Sequence, residues 1–266
     1  MTLAPEEVRV VSYNTAAGNP RIKTSQADFV KLPFYREALG GTDGAPLLAL
    51  QEVGPAQARA LRQEASRARV LQIRRPGLGN ALVVPDRYEV LGKRRSFYLL
   101  SQILGIVDGL RRWAFRHERP NWRQFGELRG WIRADLRDRA SGRELTILNT
   151  HLSVEPSLKV QQARAIVRRA LAAAARRPVI LAGDFNVPAG HPYGRDVFVA
   201  ALLSRLRDVG PPPPPHGQDI DYVLASGFEP VSARRWTGDS LQLPGSPNAE
   251  TVSDHYPEDD VLRFAP

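Results

Sequence analysis

An α/β fold is predicted for this chain of 266 residues, on three observations. Short apolar, β-branched runs alternate with stretches of helical spacing from one end of the chain to the other. Several runs are apolar at nearly every residue, as strands are when both faces of their sheet are covered. The runs also border on polar residues that are each a hard metal ligand or an acid/base group, Asn14, Glu52, His151, Asp184 and Asp221, as if strands were delivering side chains to a common place.

The strand signals fall near residues 8–13, 46–51, 80–84, 130–136, 144–150, 178–183, 220–225 and 261–264. The run Pro178 to Ala182 opens on Gly183-Asp184-Phe185-Asn186, and a carboxylate beside a hydrophobic run is costly unless it meets a metal or a charge partner. Ser157 to Arg177 carries Val160, Ala163, Ile166, Val167, Ala170 and Leu171 at helical spacing and stops at Pro178. Pro55 to Arg69 and Arg195 to Arg207 read as further surface helices. The run Pro211 to Pro215 reads as a stiff polyproline-type connector. Polar strand ends spread from Asn14 to His255 need the whole chain to converge, so a single domain over 1–266 is expected.

Residues 93–126 stand apart as a basic, amphipathic insertion. Lys93-Arg94-Arg95 precedes a helix-like stretch with Leu99, Leu100, Ile103, Leu104, Ile106, Val107, Leu110 and Trp113. Arg111, Arg112, Arg116, Arg119 and Arg123 follow among Trp113, Phe115 and Trp122. Such an element can cover a nucleic-acid groove, lie on a membrane, or pack its apolar stripe on the core.

Composition narrows the chemistry. With 42% hydrophobic residues there is material for a sizeable core. The absence of cysteine excludes disulfides, thiolate metal sites and a cysteine nucleophile. A net charge of +9 favours polyanionic partners, although arginine far outnumbers lysine, as a GC-rich genome also produces. The N-terminus carries no signal-peptide pattern, and the longest apolar stretch, Phe97 to Leu110, is broken by Ser101, Gln102 and Asp108. A cytoplasmic protein with no implied protein partner is the expectation.

Taken in order, the polar strand ends form a set. Ser12-Tyr13-Asn14, Leu50-Gln51-Glu52-Val53, Asn80-Ala81-Leu82, Asn149-Thr150-His151-Leu152, Gly183-Asp184-Phe185-Asn186, Ile220-Asp221-Tyr222 and Ser253-Asp254-His255-Tyr256-Pro257 together resemble the endonuclease/exonuclease/phosphatase superfamily, with the fold of deoxyribonuclease I. The resemblance spans residues 12 to 257. It implies a four-layer α/β/β/α sandwich with two central mixed sheets, and metal-dependent hydrolysis of a phosphoester, usually with Mg²⁺ or Mn²⁺.

Carried onto this chain, the resemblance implies roles for each motif. Glu52, with Asn14 and Asp254, would hold the metal, since Mg²⁺ takes one or two carboxylates and keeps several waters. Asp184 and Asn186 would grip the attacking water and the phosphate, and His151 would donate to a phosphate oxygen. His255, oriented by Asp221, would take a proton or balance phosphate charge; either Asp184 or His255 is then the base. His117, His191 and His216 match no motif. Departures are Ala16, where abasic-site endonucleases carry Asp, and Glu258-Asp259-Asp260, which reads as a short insertion delaying the last strand.

Three functions follow as expectations. A nuclease would use Arg94, Arg95, Arg111, Arg112, Arg116 and Arg123 as a phosphate track. A lipid or small-molecule phosphoesterase would use the apolar stretch 97–115 for peripheral membrane contact. A non-catalytic binding module would have lost some of the acid/base or metal residues, and this chain keeps them.

Overall fold

Two mixed β-sheets stacked face to face, with helices on their outer faces, form a deoxyribonuclease I-like α/β/β/α sandwich. The computed structural model describes residues 2–16, 28–41, 44–73, 78–116, 129–187, 199, 202–211, 220–237, 253 and 255–266. Among these, one sheet is built from β1 (Glu7–Asn14), β2 (Leu47–Val53), β3 (Ala68–Ile73), β4 (Gly79–Pro85), β11 (Phe228–Arg235) and β12 (Glu258–Phe264), in the order β11-β12-β1-β2-β4-β3. The other holds β5 (Tyr88–Phe97), β6 (Gly130–Asp138), β7 (Glu144–His151), β8 (Val179–Asp184), β9 (Arg207–Asp208) and β10 (Asp221–Ser226), in the order β5-β6-β7-β8-β10-β9. Each sheet has one parallel pair, β1 with β2 and β7 with β8, and is otherwise antiparallel.

Side-chain alternation explains the apolar runs. Val8 and Val10 enter the core between the sheets, while Val11 and Tyr13 enter a second core beneath α1 (Pro33–Gly40) and α2 (Pro55–Glu64). A third core lies between the second sheet and α4 (Pro156–Ala174). The remaining long helix, α3 (Leu99–Arg116), packs alongside α4. Pro156 occupies the first turn of α4, where its missing N–H costs nothing, and Glu155 rather than Ser157 caps it, accepting from Ser157 N. The longer helix expected to Arg69 stops at Glu64, because Ala68 onward pairs with β4.

Two expectations are corrected here. Lys93-Arg94-Arg95 do not open the helical element that follows: these residues belong to β5, the edge strand paired with β6 from Tyr88 to Phe97, while residues 117–126 lie outside the described residues. Nor is Glu258-Asp259-Asp260 an insertion. β12 begins at Glu258, pairing with Ser12 of β1 and Arg235 of β11, and all three acids are buried. Alternation sends Asp259 to the helix side, where Arg9, Arg234 and Trp236 bond it, and Asp260 between the sheets with Leu262 and Phe264. Of the helix expected over 195–207, residues 195–198, 200 and 201 lie outside the described residues, 199, 202 and 203 are helical, and the chain turns at 204–206 so that Arg207 enters β9 instead of ending a helix; Pro212 to Pro215 of the proline run also lie outside the described residues.

Asp260 is fully buried, and neither carboxylate oxygen has a hydrogen-bond partner. Burial, then Asp259 and Asp208, push its acid well above the usual range against the pull of Arg235, a shift that favours the neutral form. The folded chain therefore keeps a proton that the unfolded chain loses, and stability present below about pH 4 drains away as pH rises toward the folded value. Asp260→Val removes the unmet polar group and is expected to stabilise the protein by about 1–3 kcal/mol near pH 7. The gain should shrink at pH 4. Thermal melts at both pH values check this; a variant that melts lower at pH 7 refutes it.

Candidate active site

The polar strand ends meet at one end of the sandwich. Asn14 and Glu52 come from the C-terminal ends of the parallel strands β1 and β2, and His151 and Asp184 from those of β7 and β8. Asp221 opens β10 directly opposite Asp184 in the ladder, and His255 lies just before β12. Two amides fasten the sheets together at this end. Asn149 Nδ2 donates to the carbonyls of Leu50 and Ala81 at 2.8 Å each, and Gln51 Nε2 donates to Asn149 Oδ1 at 2.8 Å. Asn80 Nδ2 likewise donates to Gly130 O at 2.9 Å.

Local backbone choices aim the side chains. The β2–β4 register slips between Leu50 and Val53, and Glu52 takes a left-handed φ of 53° within that irregularity. Bulges re-aim residues in this way, and a non-glycine residue held there costs about 1–3 kcal/mol. Asn186 is also left-handed, φ 52°, a conformation asparagine tolerates. Gly183 cannot be replaced: a Cβ there would lie 2.0 Å from Thr150 O. That close approach brings β8 against β7, with His151 and Asp184 in register.

Asp184 is the centre of the group. Its Oδ2 accepts from Asn14 Nδ2 at 2.9 Å and lies 3.3 Å from His151 Nε2 and 3.9 Å from His255 Nε2. Its Oδ1 accepts from Asn186 N at 2.8 Å. Burial, then Asp221, push its acid up to about 7; His255, Asn14 and the Asn186 N–H pull the other way. His255 Nδ1 and Asp221 Oδ2 are 2.6 Å apart, and the His255 backbone N donates to Ser253 Oγ at 3.1 Å, whose hydroxyl donates to Asn14 O at 2.7 Å. Asn186 Nδ2 donates to Leu152 O at 2.9 Å, while Lys159 Nζ donates to Asn186 O at 2.6 Å.

Sequence reasoning passed over Arg129. It is buried directly before β6, with Nη1 2.6 and 2.9 Å from the two ring nitrogens of His151 and 3.8 Å from Glu52 Oε1. Its one sequence signal is position: β6 starts at the end of the sandwich where the other polar strand ends gather. His151 bridges the two acidic groups, with Nδ1 3.9 Å from Glu52 and Nε2 facing Asp184.

Asp184, Asp221 and His255 each offer one ligand atom, all within 4.8 Å of one another, a group that could hold a metal ion. Asp221 Oδ1 is buried without a hydrogen-bond partner, and Asp184 is pushed toward neutrality, so the donor set fits a hard divalent cation. Glu52 stands apart from that trio, across His151, and Asn14 reaches it through Asp184. Asp254 and Arg123 fall outside the described residues, as do His117, His191 and His216. Arg94, Arg95 and Arg111 are exposed; Arg95 Nη1 donates to Gln72 O, and Arg112 and Arg116 lie within α3.

Comparison with known proteins agrees with this layout. The Endonuclease/Exonuclease/phosphatase family matches residues 12–255. Among curated proteins none matches. An endonuclease/exonuclease/phosphatase from Bacteroides vulgatus has a similar structure, with TM-score 0.70 and 18% identity, covering 97% of this chain and 99% of that one. D. rerio TDP2 complexed with a single strand DNA product follows at TM-score 0.70 and 16% identity, over 97% and 99% of the two chains. A mannosyl-6-phosphatase of Bacteroides thetaiotaomicron is similar at TM-score 0.65 and 17% identity, over 97% and 100%. At these identities the likeness shows the fold; the family match, running over nearly the whole chain, shows that this chain belongs to the endonuclease/exonuclease/phosphatase family of phosphoester hydrolases.

Proposed function

We propose that the chain is a divalent-metal-dependent phosphodiester hydrolase, with nucleic acid as its first candidate substrate. The observation that carries this is Asp184, buried and poised near pH 7 among Asn14, His151 and the His255–Asp221 pair. A phosphodiester repels nucleophiles, so cleavage needs an activated water and positive groups where charge develops. A divalent cation, when bound, would supply Lewis acidity to the phosphate oxygen.

The residues divide the remaining work. Asp184 takes the proton of the attacking water: its oxygens are aimed by Asn14 and Asn186, and a base near the working pH is the effective one. Asp221 accepts from His255 Nδ1, fixing the ring and leaving Nε2 turned toward the reacting centre, where it donates to the phosphate and Asp221 balances the charge. His151, with Arg129 against its ring, donates to a second phosphate oxygen. Glu52 is a partly exposed carboxylate, and it would hold the cation together with Asn14 and waters.

Glu52→Gln is expected to raise the Mg²⁺ concentration for half-maximal rate by at least about tenfold. A metal titration unchanged by the substitution overturns that role. A cation beside Asp184 favours its charged form, so protonation of Asp184, whose folded value is about 7, opposes cation binding. Mg²⁺ should therefore raise the melting temperature more at pH 8 than at pH 5, and an equal or reversed shift refutes it.

The substrate class is tested by offering plasmid DNA, single-stranded RNA and phospholipid vesicles in parallel with Mg²⁺, Mn²⁺ or EDTA, with Asp184→Ala as control. Nucleic acid is supported by the exposed Arg94, Arg95 and Arg111. A second reading, a lipid-headgroup phosphodiester, is supported by the apolar residues that α3 exposes. Metal-dependent cutting of nucleic acid upholds the first reading; turnover confined to vesicles replaces it with the second.

A further inference from the structure

Helix α3 is amphipathic the wrong way round for a core helix. Among its described positions Ser101, Gln102 and Gly109 are the buried ones, and Ser101 Oγ donates to Gln161 O of α4 at 3.2 Å. At 3.6 residues per turn these positions share one side, and Leu100, Ile103, Leu104 and Val107 lie on the other. That other side faces outward: Leu99 is 58% exposed, Leu100 70%, Ile103 60% and Phe115 82%, with Leu104, Val107, Leu110 and Trp113 also exposed. Single exposed apolar side chains are ordinary, but a continuous apolar helix face marks an interaction surface.

We infer that α3 docks this protein on an anionic lipid bilayer, lying in the interface with its apolar side among the acyl chains. Charge selects this occupant. Between Lys93 and Arg116 six basic residues stand against one acid, Asp108, and the neighbouring α4 carries Lys159, Arg164, Arg168 and Arg169 with no acid from Pro156 to Ala174. Lys93, Arg94, Arg95 and Arg111 are exposed beside or on the helix, and Arg164 and Arg168 on α4. A Leu-rich side, an aromatic end and an arginine border are the pattern of helices that lie on anionic membranes. A second copy of the chain would set arginine against arginine across the same face. Among the described residues no helix is long and apolar enough to cross a membrane, so α3 lies on the bilayer rather than spanning it.

The placement has a consequence for the site. Tyr98, the residue before α3, donates its backbone N–H to Arg129 O at 3.0 Å, and its hydroxyl lies 2.7 Å from Thr150 Oγ1, next to His151. The first turn of α3 thus stands at the end of the sandwich where the site lies.

The test is flotation of the full chain with vesicles of phosphatidylcholine alone and of phosphatidylcholine with phosphatidylserine, in EDTA so that no turnover occurs. Wild type is expected to float with the anionic vesicles, less so as salt rises. Leu100→Glu with Ile103→Glu should cut the bound fraction's partition constant by at least about tenfold. Both side chains are exposed, so the melting temperature should stay unchanged. Asp184→Ala should float like wild type, which keeps docking separate from the proposed catalysis. Two results overturn docking: wild type that stays with free protein for both compositions, or a dimer in sedimentation velocity that the Leu100/Ile103 variant dissolves.

Discussion

Asp184→Asn is expected to lower kcat by about 10²–10⁴-fold while the protein folds normally, because it removes a general base without changing the shape of the side chain. The amide keeps an oxygen for the Asn186 N–H and cannot take a proton from water. Wild-type kcat should rise with pH as Asp184 loses its proton, a limb centred near 7 for the metal-free value and moved to lower pH by a bound cation. In the variant that limb should vanish. His255→Ala should also slow the reaction yet keep the limb, moved to higher pH because His255 no longer favours the charged form of Asp184. Stability separates chemistry from damage. The folded Asp184 value lies above the unfolded one, so the carboxyl contributes stability at acid pH that is lost as pH climbs from about 4 toward 7. A neutral amide escapes that loss but turns its N–H₂ toward Asn14 Nδ2, so without metal the variant should melt close to wild type at pH 8. Near-wild-type rates in Asp184→Asn would sink the proposed mechanism.

How much of this was legible depends on where each residue's partners lie. The strands β1, β2, β7 and β8 are covered on both faces, so their apolar runs declare them without help from the rest of the fold. The strands β3, β5 and β11 escaped notice because they lie at sheet edges, where exposed residues such as Arg94 and Arg234 interrupt any apolar pattern; only pairing with a neighbour makes them strands. The site divides in the same way. Asn14, Glu52, His151, Asp184 and Asp221 stand at ends of strands that the sequence marks, so their convergence was open to inference. The register slip that turns Glu52, the left-handed backbone of Asn186 and the approach of Arg129 to His151 arise between strands distant in sequence, and no local pattern encodes them. The helical signal of α3 was plain, yet the direction of its apolar side was not, because periodicity is the same for a helix facing in or out.

The acids at the start of β12 give the clearest stability consequence. Arg9 is buried on β1, and its guanidinium grips Asp259 with Nε to Oδ1 at 2.7 Å and Nη2 to Oδ2 at 2.8 Å, while Nη1 bonds Glu37 of α1. Burial opposes both charges, but the pairing outweighs it: Arg9 is held above its usual range and Asp259 below it, helped by Arg234. Such a pair adds little over two apolar groups of the same size, and losing one partner is a different matter. Arg9→Met leaves Asp259 buried with only the half-exposed Arg234 and the Trp236 Nε1–H beside it. The expected loss is about 3–5 kcal/mol, or on the order of 10 °C in melting temperature. Its pH dependence identifies the cause. Because the folded value of Asp259 is depressed, its contribution is present above the unfolded value near 4 and disappears as pH falls through the folded one. The deficit of Arg9→Met should therefore narrow in acid, where wild type loses the same pair and is left with Arg9 buried opposite a neutral acid. Adding Asp259→Leu to Arg9→Met removes the orphaned charge and should recover much of the loss at pH 7. Melts of wild type, the single variant and the double variant at pH 7 and pH 3 measure all three effects; a deficit that is constant with pH and untouched by Asp259→Leu would assign it to lost packing around the Arg9 stem instead.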